Sequence, residues 1–573
     1  MHSIPYHLLN GEYHIYNFTT GLSAYGYIYY ASLSTGESYA VQLFLTLLAL
    51  FGVGLTVVMT VTHLCAIYFA RHHMYRTTPV RDLGPCPEPR HVWQRRFTAA
   101  RSYRAFCSIP SWQSCFRSSE SASSVPPFIT QPESLTSPFL QAPKIIVKMP
   151  DFLDGITQPS AIKPMSYPGV SIIKPLSGVD TNLEVNLASY FRLDYPTYEV
   201  IFCVSDSLDP SCKLVHRLQS VYPNVPSRLI VAKKVYGINP KINNLQAGYE
   251  AARYDLLLIS DSGIWMRSDT LTDMVACLKS DANVGLVHQM PFMAPYLAAV
   301  RAFMDPTSPF PLVSSSTWSP LSDRPSFAWI LQLVFFGCWH AKIYLFAAFL
   351  GINCVTGMSI LLRKPVLSPL GGFVRFSRYL AEDFFISKYF IDQGWQIRLA
   401  HQPAWQNSLS TSVSQFHSRI SRWSQLRLTM VIVAYILEPL SRCFPAAILG
   451  AFGFSHFLPN FIDPGVFFLC HILIWFLFDY FLLLSLYPPC MQLCITKLEY
   501  LVAWMFSELT AVPFHFSVIF KKDIQWRNKR YRVHWGGVSE QIILSPSADQ
   551  TDHFVPDNCA GEAVGSANTT MHL

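Results

Sequence analysis

The chain has 573 residues, 51% of them hydrophobic and only 14% charged, and its mean hydropathy of +0.25 excludes a wholly water-soluble protein. Its net charge of +7 is modest and spread over clusters beside apolar runs, so it is read as membrane orientation, and nucleic acid is not expected as a partner. The 14 cysteines include no C-x-x-C pair, and Cys203, Cys277, Cys354 and Cys470 sit inside apolar runs, so neither a disulfide scaffold nor a zinc site is expected.

Residues 1–38 contain no Lys or Arg and include the sequon Asn17-Phe18-Thr19, which can be glycosylated only in the lumen. From Tyr39 to Ala70 there is no Asp, Glu, Lys or Arg, a run longer than a bilayer core requires, and it is read as a transmembrane helix (39–70). Arg71, His72, His73, Arg76 and Arg81 follow at once, so the positive-inside bias sets the next segment in the cytosol and the N-terminal extension in the lumen. Residues 71–163 turn basic and then Ser/Pro-rich without sustained period, the composition of a disordered linker, with a small subdomain around Trp93 to Trp112 as the alternative.

From Gly169 short β-rich runs alternate with helix-like ones. Strands are expected at Val170 to Lys174, Glu199 to Val204, Arg228 to Val231, Asp255 to Ile259 and Gly285 to His288, with helices between them, which is the pattern of a parallel α/β sheet. Such sheets hold ligands beyond the carboxyl ends of their strands, so the residues just after each strand are the candidates. A Pro/Ser-rich interval at about 295–326 reads as an insertion within a cytosolic domain of residues 164–423. Beyond Trp423, Phe444 to Ile462 and Val466 to Tyr487 are the expected further spans. The runs Arg427 to Leu440, with Glu438, and Tyr500 to Phe520, with Glu508, lie along the interface or against other helices, and 521–573 is a basic cytosolic tail.

Four places can carry chemistry. Asp206 and Asp209 follow the second strand, where Asp209 before Pro210 is equally well explained as a helix cap. Asp261-Ser262-Gly263 follows the apolar strand Asp255 to Ile259, where a carboxylate can hold a ribose or a metal-bound diphosphate, and where a turn aspartate would look the same. Glu382 and Asp383 open a helix-like run, either complementing its dipole or supplying a general base at Asp383. Arg419, Arg422 and Trp423 form either a positive-inside cluster with an interfacial indole or a clamp for a leaving diphosphate with a wall for an acceptor. Lys241 and Asn243, in Gly237-Ile238-Asn239-Pro240-Lys241-Ile242-Asn243-Asn244, add phosphate-compatible donors just before a helix.

Read in order, Gly169 to Leu176 (GVSIIKPL), Gly237 to Leu245 (GINPKINNL), Asp261 to Ile264 (DSGI), Asp269 to Val275 (DTLTDMV), Cys354 to Ser359 (CVTGMS), Ala381-Glu382-Asp383 and Ser414 to Trp423 resemble the ceramide glucosyltransferase family, from about Pro164 to about Leu544. The resemblance implies an α/β, GT-A type domain with membrane helices at both ends. It implies UDP-glucose as donor and ceramide as acceptor in a lipid membrane, with inversion. It implies that Asp209 and Asp261 serve the nucleotide sugar, that Asp383 is the base, and that Arg419, Arg422 and Trp423 lie at the acceptor. His340 is similar to a family histidine near the nucleotide or acceptor, and a core histidine would fit equally. The family also implies Mg²⁺ or Mn²⁺, with Asp261 as its ligand, and a multi-pass Golgi protein whose catalytic domain faces the cytosol; a homo-oligomer is left open. Asp-Ser-Gly at 261–263 departs from the Asp-x-Asp of many sugar-nucleotide enzymes, and the N-terminal extension, the linker and the 295–326 insertion are additions to the family pattern. The rivals are a processive polysaccharide synthase of the cellulose, chitin or hyaluronan kind, which needs more spans, and an inactive membrane protein that binds sugar nucleotide or lipid; a transporter is disfavoured by the large α/β domain.

Overall fold

A central seven-stranded sheet organises the structure, a computed structural model that describes residues 38–76, 167–295, 324–352, 354–407, 412–488, 493–526 and 529–542. The sequon, the expected linker beyond Arg76 and nearly all of the expected insertion lie outside the described residues. Apart from Tyr167 and Pro168, the described residues belong to one compact unit joining the N-terminal helix to the sheet and the C-terminal helices.

The sheet runs β3-β2-β1-β4-β8-β6-β9. β1 (Val170–Pro175) pairs in parallel with β2 (Tyr198–Val204) and β4 (Leu256–Ser260), and β2 with β3 (Ser227–Val231). β1, β2 and β4 are apolar on both faces because helices cover both, including α2 (Leu183–Ser189), α3 (Ser211–Val221) and α4 (Pro240–Ala251). These strands and helices match the alternation in the sequence. After β5 (Ile264–Trp265), α5 (Thr270–Lys279), β6 (Val284–His288) and β7 (Pro291–Met293), the topology departs from the all-parallel expectation. β8 (Ser359–Arg363) lies antiparallel between β4 and β6. Its run of buried side chains shows that it is central, but a strand's own pattern does not encode its direction. The reversal is what brings the start of β8 to the end of β4, where Asp261 N donates to Met358 O at 2.9 Å. A small sheet of β5, β10 (Ala404–Gln406) and β7 packs beside this edge, and β9 (Gln396–Leu399) completes the main one.

Between β7 and β8 lies a helix read in the sequence only as part of the soluble domain. It comprises α6 (Phe327–Phe335), a π-helical turn (Phe336–His340) and α7 (Ala341–Phe349). It is apolar and long enough to cross a membrane, yet 83% of its apolar window is buried inside the protein. The other such helices among the described residues are α1 (Ser38–His73), α12 (Pro464–Leu486) and α13 (Lys497–Ile519). α8 (Glu382–Asp392) and α9 (Val413–Met430) carry the acidic pair and the Arg-Trp segment. α10 (Ile432–Leu437) leads into α11 (Cys443–Phe457) across a 73° bend. The run expected as the span 444–462 is thus a helix of 15 residues, about 22 Å long, short of a bilayer core unless the bent pair acts as one span. α1 and α11 approach closely through small residues. A Cβ on Gly52 would overlap the Leu449 carbonyl, and one on Gly453 would come within 2.5 Å of Ala49 O.

Part of the stretch read as a tail is folded. β11 (Asp523–Trp526), β12 (Lys529–Val533) and β13 (Ser539–Ile542) form an antiparallel sheet whose Ile524 and Tyr531 bury against Leu380, Leu426 and Ile238. Ser539 N donates to Arg378 O at 3.0 Å and Gly536 N to Thr429 O at 3.1 Å, so this sheet holds both the loop before α8 and the end of α9.

Candidate active site

The carboxyl edge of the sheet gathers most of the candidate residues. Asn239 caps α4, its Oδ1 accepting from Lys241 N at 2.9 Å, while Pro240 supplies a preset first-turn φ. That cap aims the Lys241 side chain inward. Its Nζ lies 2.8 Å from Asp261 Oδ1 and 2.9 Å from Glu382 Oε1, and donates to Gly357 O at 2.9 Å. One ammonium therefore ties the ends of β4, β8 and α8 together. Burial works against that charge, but Asp261 and Glu382 outweigh it and push the Lys241 pKa up.

Asp383 sits beside this knot. Its Oδ2 accepts from Gly357 N at 2.6 Å and its Oδ1 from Phe384 N at 2.8 Å. Gly357 suits this close approach, because a Cβ there would lie 3.1 Å from Asp383 Oδ2 and 3.3 Å from Lys241 Nζ and would force one of them to give by a few tenths of an ångström. Burial, and then the neighbouring Glu382 carboxylate, raise the Asp383 pKa to about 6, with Lys241 pulling the other way. Glu382 is fixed on its second oxygen by Asn239 Nδ2 at 3.1 Å.

α9 closes the other side. Ser412 and Gln415 form a capping box, and Phe416, Ile420 and Ser424 bury one face of the helix, which turns Arg419 and Trp423 toward the sheet edge. Arg419 Nη2 donates to Gln406 Oε1 at 2.7 Å, and its guanidinium lies 4.9 Å from the Trp423 ring and 5.9 Å from the Phe336 ring. Gln406 pairs with Ile264, three residues past Asp261, so β5 and β10 link the acid cluster directly to the arginine. Burial, then the Arg422 charge, pull the Arg419 pKa down to about 10, while Asp261 opposes them. Trp423 packs against Ile264, Met358 and Ala404.

The remaining candidates are placed differently. Asp209 holds local structure, its Oδ2 accepting from Gly178 N at 2.8 Å and its Oδ1 from Ser211 N at 2.9 Å, so it ties the start of α3, whose N-cap is Pro210, to the loop after β1. Asp206 is exposed and accepts from Leu208 N at 3.0 Å. Asn243 braces the Gly237 turn, accepting from Tyr236 N at 2.9 Å and donating to Gly237 O at 3.1 Å. His340 stacks on Tyr344 with ring centroids 5.4 Å apart and lies 5.3 Å from the Phe336 ring, behind the Arg419 platform.

Four participants were not singled out in the sequence. Gly357 and Met358 were noted only within the C-V-T-G-M-S match. Gln406 carries no motif. Lys174, at the end of β1, is buried, donates to Asp261 O at 2.6 Å and lies 3.9 Å from the Tyr190 ring centroid. The one signal for it was a lysine in an otherwise apolar strand.

Among the described residues no group of three or more His, Cys, Asp or Glu is arranged to hold a metal ion. Asp261, the carboxylate expected in that role, is 37% exposed and meets Lys241 through Oδ1. A hard ion held by one carboxylate plus substrate phosphates is an ordinary arrangement for Mg²⁺.

The sheet order, with its antiparallel β8 and an acid and arginine cluster at the carboxyl edge, defines a GT-A type glycosyltransferase carried on membrane-type helices. The pattern of glycosyl transferase family 21 matches residues 140–307 and 298–539, and the chain belongs to that family. Ceramide glucosyltransferase 3 of Caenorhabditis elegans is 36% identical over 373 residues, covering 65% of this chain and 74% of that protein. Ceramide glucosyltransferase 1 of the same organism is 33% identical over 393 residues, covering 67% and 78%. Among solved structures, a mannosyltransferase from Pyrobaculum calidifontis in complex with GDP-Man and Mn²⁺ overlays with a TM-score of 0.34 at 16% identity, covering 60% of this chain and 88% of that one.

Proposed function

We propose that this chain transfers glucose from UDP-glucose to the C1 hydroxyl of ceramide, with inversion at the anomeric carbon. The observation that carries the reading is the Lys241 knot. It holds Asp261 and the Glu382–Asp383 pair together at the strand ends, with Arg419 of α9 within the electrostatic reach of Asp261. Curated relatives named for ceramide glucosyl transfer supply the substrate class.

In this mechanism Asp383 accepts the ceramide hydroxyl proton while that oxygen attacks the anomeric carbon. The new carbon–oxygen bond forms as the bond to the β-phosphate oxygen breaks, and UDP departs with the electron pair. A base with a pKa of about 6 is ionised at neutral pH and still basic enough to take the proton late. Arg419 and Arg422 stabilise the negative charge that develops on UDP, and Trp423 forms an apolar wall for the lipid. A divalent cation held by Asp261 would supply further charge neutralisation on the diphosphate. Asp206, Asp209, Lys241 and Asn243 shape the nucleotide-sugar side, with Asp209 and Asn243 acting through the loops they brace. His340 completes the wall behind Phe336.

We further read the site as facing the cytosol at a Golgi membrane. Arg71 and Arg76, which follow the apolar run of α1 where its other flank has no Lys or Arg, support that orientation. The test is an assay of the purified protein over several UDP-sugars and lipid acceptors, with products identified by mass and anomeric configuration. A single β-hexose on ceramide supports the reading. A ladder of hexoses would point to a polysaccharide synthase, and UDP-glucose binding without turnover to an inactive binding protein.

A further inference from the structure

Four helices meet at a set of polar side chains sealed from water. His63 lies in α1, Lys342 in α7, Asp479 in α12 and Trp504 in α13, and each is only 1% exposed. Asp479 Oδ1 is 3.2 Å from His63 Nε2 and 3.9 Å from Lys342 Nζ, and its Oδ2 accepts from Trp504 Nε1 at 2.9 Å. Lys342 Nζ is also 3.2 Å from His63 Nε2 and 4.0 Å from the Trp475 ring centroid. His63 Nδ1 faces the Met59 carbonyl at 2.9 Å. A carbonyl can only accept, so Nδ1 carries a proton, and in the neutral ring Nε2 is left to accept from the ammonium.

Charged groups among apolar helices are costly, and an apolar trio of similar volume would pack there without desolvation. What an ionic cluster adds is direction. A register slip of one residue turns a helix by about 100° and would carry Lys342 away from its partners. Lys342 lies two residues beyond the π-helical turn. Within that turn, Cys338 Sγ is 3.5 Å from Asp479 O, and a Cβ on Gly337 would overlap the Leu483 side chain of α12. The same turn presents Phe336 to the site, its ring 5.9 Å from the Arg419 guanidinium and 6.1 Å from the Trp423 ring.

We propose that His63, Lys342 and Asp479 are positioning residues for the lipid-acceptor side of the site. They lock the π-turned helix in the rotation that lays Phe336 under Arg419 and Trp423. The inference rests on the reading of that site as a ceramide glucosyltransferase, and it makes the N-terminal membrane helix a contributor to acceptor use.

The full-length protein in detergent is compared with K342M, D479N, the double variant K342M/D479N, and K342R. For each, kcat and KM are measured separately for UDP-glucose and ceramide, together with the unfolding temperature. The double variant has no unbalanced buried charge, so a merely charge-balancing role predicts that it recovers fully from the defects of the single variants. Positioning predicts otherwise. The double variant keeps the wild-type unfolding temperature and a UDP-glucose KM within about twofold, but loses about tenfold or more in kcat/KM for ceramide, while K342R retains most of it. Ceramide kinetics within about twofold of wild type in the double variant, or equal losses toward both substrates, would overturn the proposal. If the aspartate variants do not accumulate, H63Q, which keeps the net charge of a neutral ring and alters the bridge to Lys342, is judged by the same criteria. A wild-type protein that makes no glucosylceramide refutes the underlying reading, and that result precedes any comparison of variants.

Discussion

Lys241→Met is the most informative single change, because one ammonium holds three elements at the site. Its removal strips the cation from Glu382, whose side chain is 8% exposed, from Asp261, which is 37% exposed, and from the Gly357 carbonyl. Uncompensating a buried carboxylate costs about 3 kcal/mol. The more exposed Asp261 pair is screened and contributes about 0.5 kcal/mol, and the orphaned carbonyl about 1 kcal/mol. A loss of about 4.5 kcal/mol lowers the unfolding temperature of a domain of this size by on the order of 10 °C. There is also an electrostatic signature that destabilisation alone cannot produce. Lys241 holds the Asp383 pKa below where burial and Glu382 would set it, so its loss moves that pKa upward from about 6. The assay is kcat/KM for ceramide against pH, on protein whose folding is verified by its unfolding curve. An acidic limb that stays in place or moves to lower pH in Lys241→Met would refute the argument that this ammonium governs Asp383.

In the wild-type protein, Asp383 must be ionised to act as base, so kcat/KM is expected to fall tenfold per pH unit below about 6; Asp383→Asn removes the limb and costs about 10²–10⁴-fold in turnover. The raised pKa also means that the folded protein binds this proton more tightly than the unfolded chain, so the Asp383 contribution to stability falls as pH rises from 3.8 to about 6, measurable as a shift in the unfolding midpoint. Arg419→Ala should lower kcat by about 10²-fold and, because it orphans the buried Gln406 Oε1, cost about 1 kcal/mol of stability; an unchanged kcat would remove it from leaving-group stabilisation. Gly450→Leu should prise α1 from α11, because a Cβ there already falls 2.4 Å from Thr56 Oγ1 before the rest of the side chain is added, and crosslinking between the two helices should be lost. Stripping divalent ions with a chelator should lower activity and be reversed by Mg²⁺ or Mn²⁺, and Asp261→Asn should weaken that rescue, read as the ion concentration for half-maximal activity.

The strands and helices of the nucleotide half were legible because each is a short, self-consistent pattern. β1, β2 and β4 are apolar runs punctuated by turn residues, and α4 opens with an Asn-Pro cap. β8 was not read as a strand, since five residues running into Lys364-Pro365 give little pattern, and its antiparallel direction depends on where the preceding helix delivers the chain, which nothing in Ser359 to Arg363 records. Asp261 and Asp383 could be nominated from their places after a strand and at a helix start, whereas Lys241 as their common partner emerges only when two segments far apart in sequence meet. The candidates Asp209 and Asn243 show the limit of composition: each polar side chain has the right type, and in the fold each is engaged in bracing its own turn. The helix Phe327–Phe349 was hidden for a different reason. Trp339, His340 and Lys342 interrupt its hydropathy, and only burial against α1 and α12 shows it to belong with the apolar helices.

The small sheet at 523–542 carries a consequence for biogenesis. It braces α9 and the approach to α8, yet it follows α13, the last of the long apolar helices described, in the chain and so emerges from the ribosome after all of them. During synthesis the reaction centre therefore lacks its keystone until the helical bundle has been handed to the bilayer, which ties the onset of enzyme competence to completed insertion. Shortening the chain to end before Asp523 should leave a protein that inserts normally but matures into a slack, poorly active form.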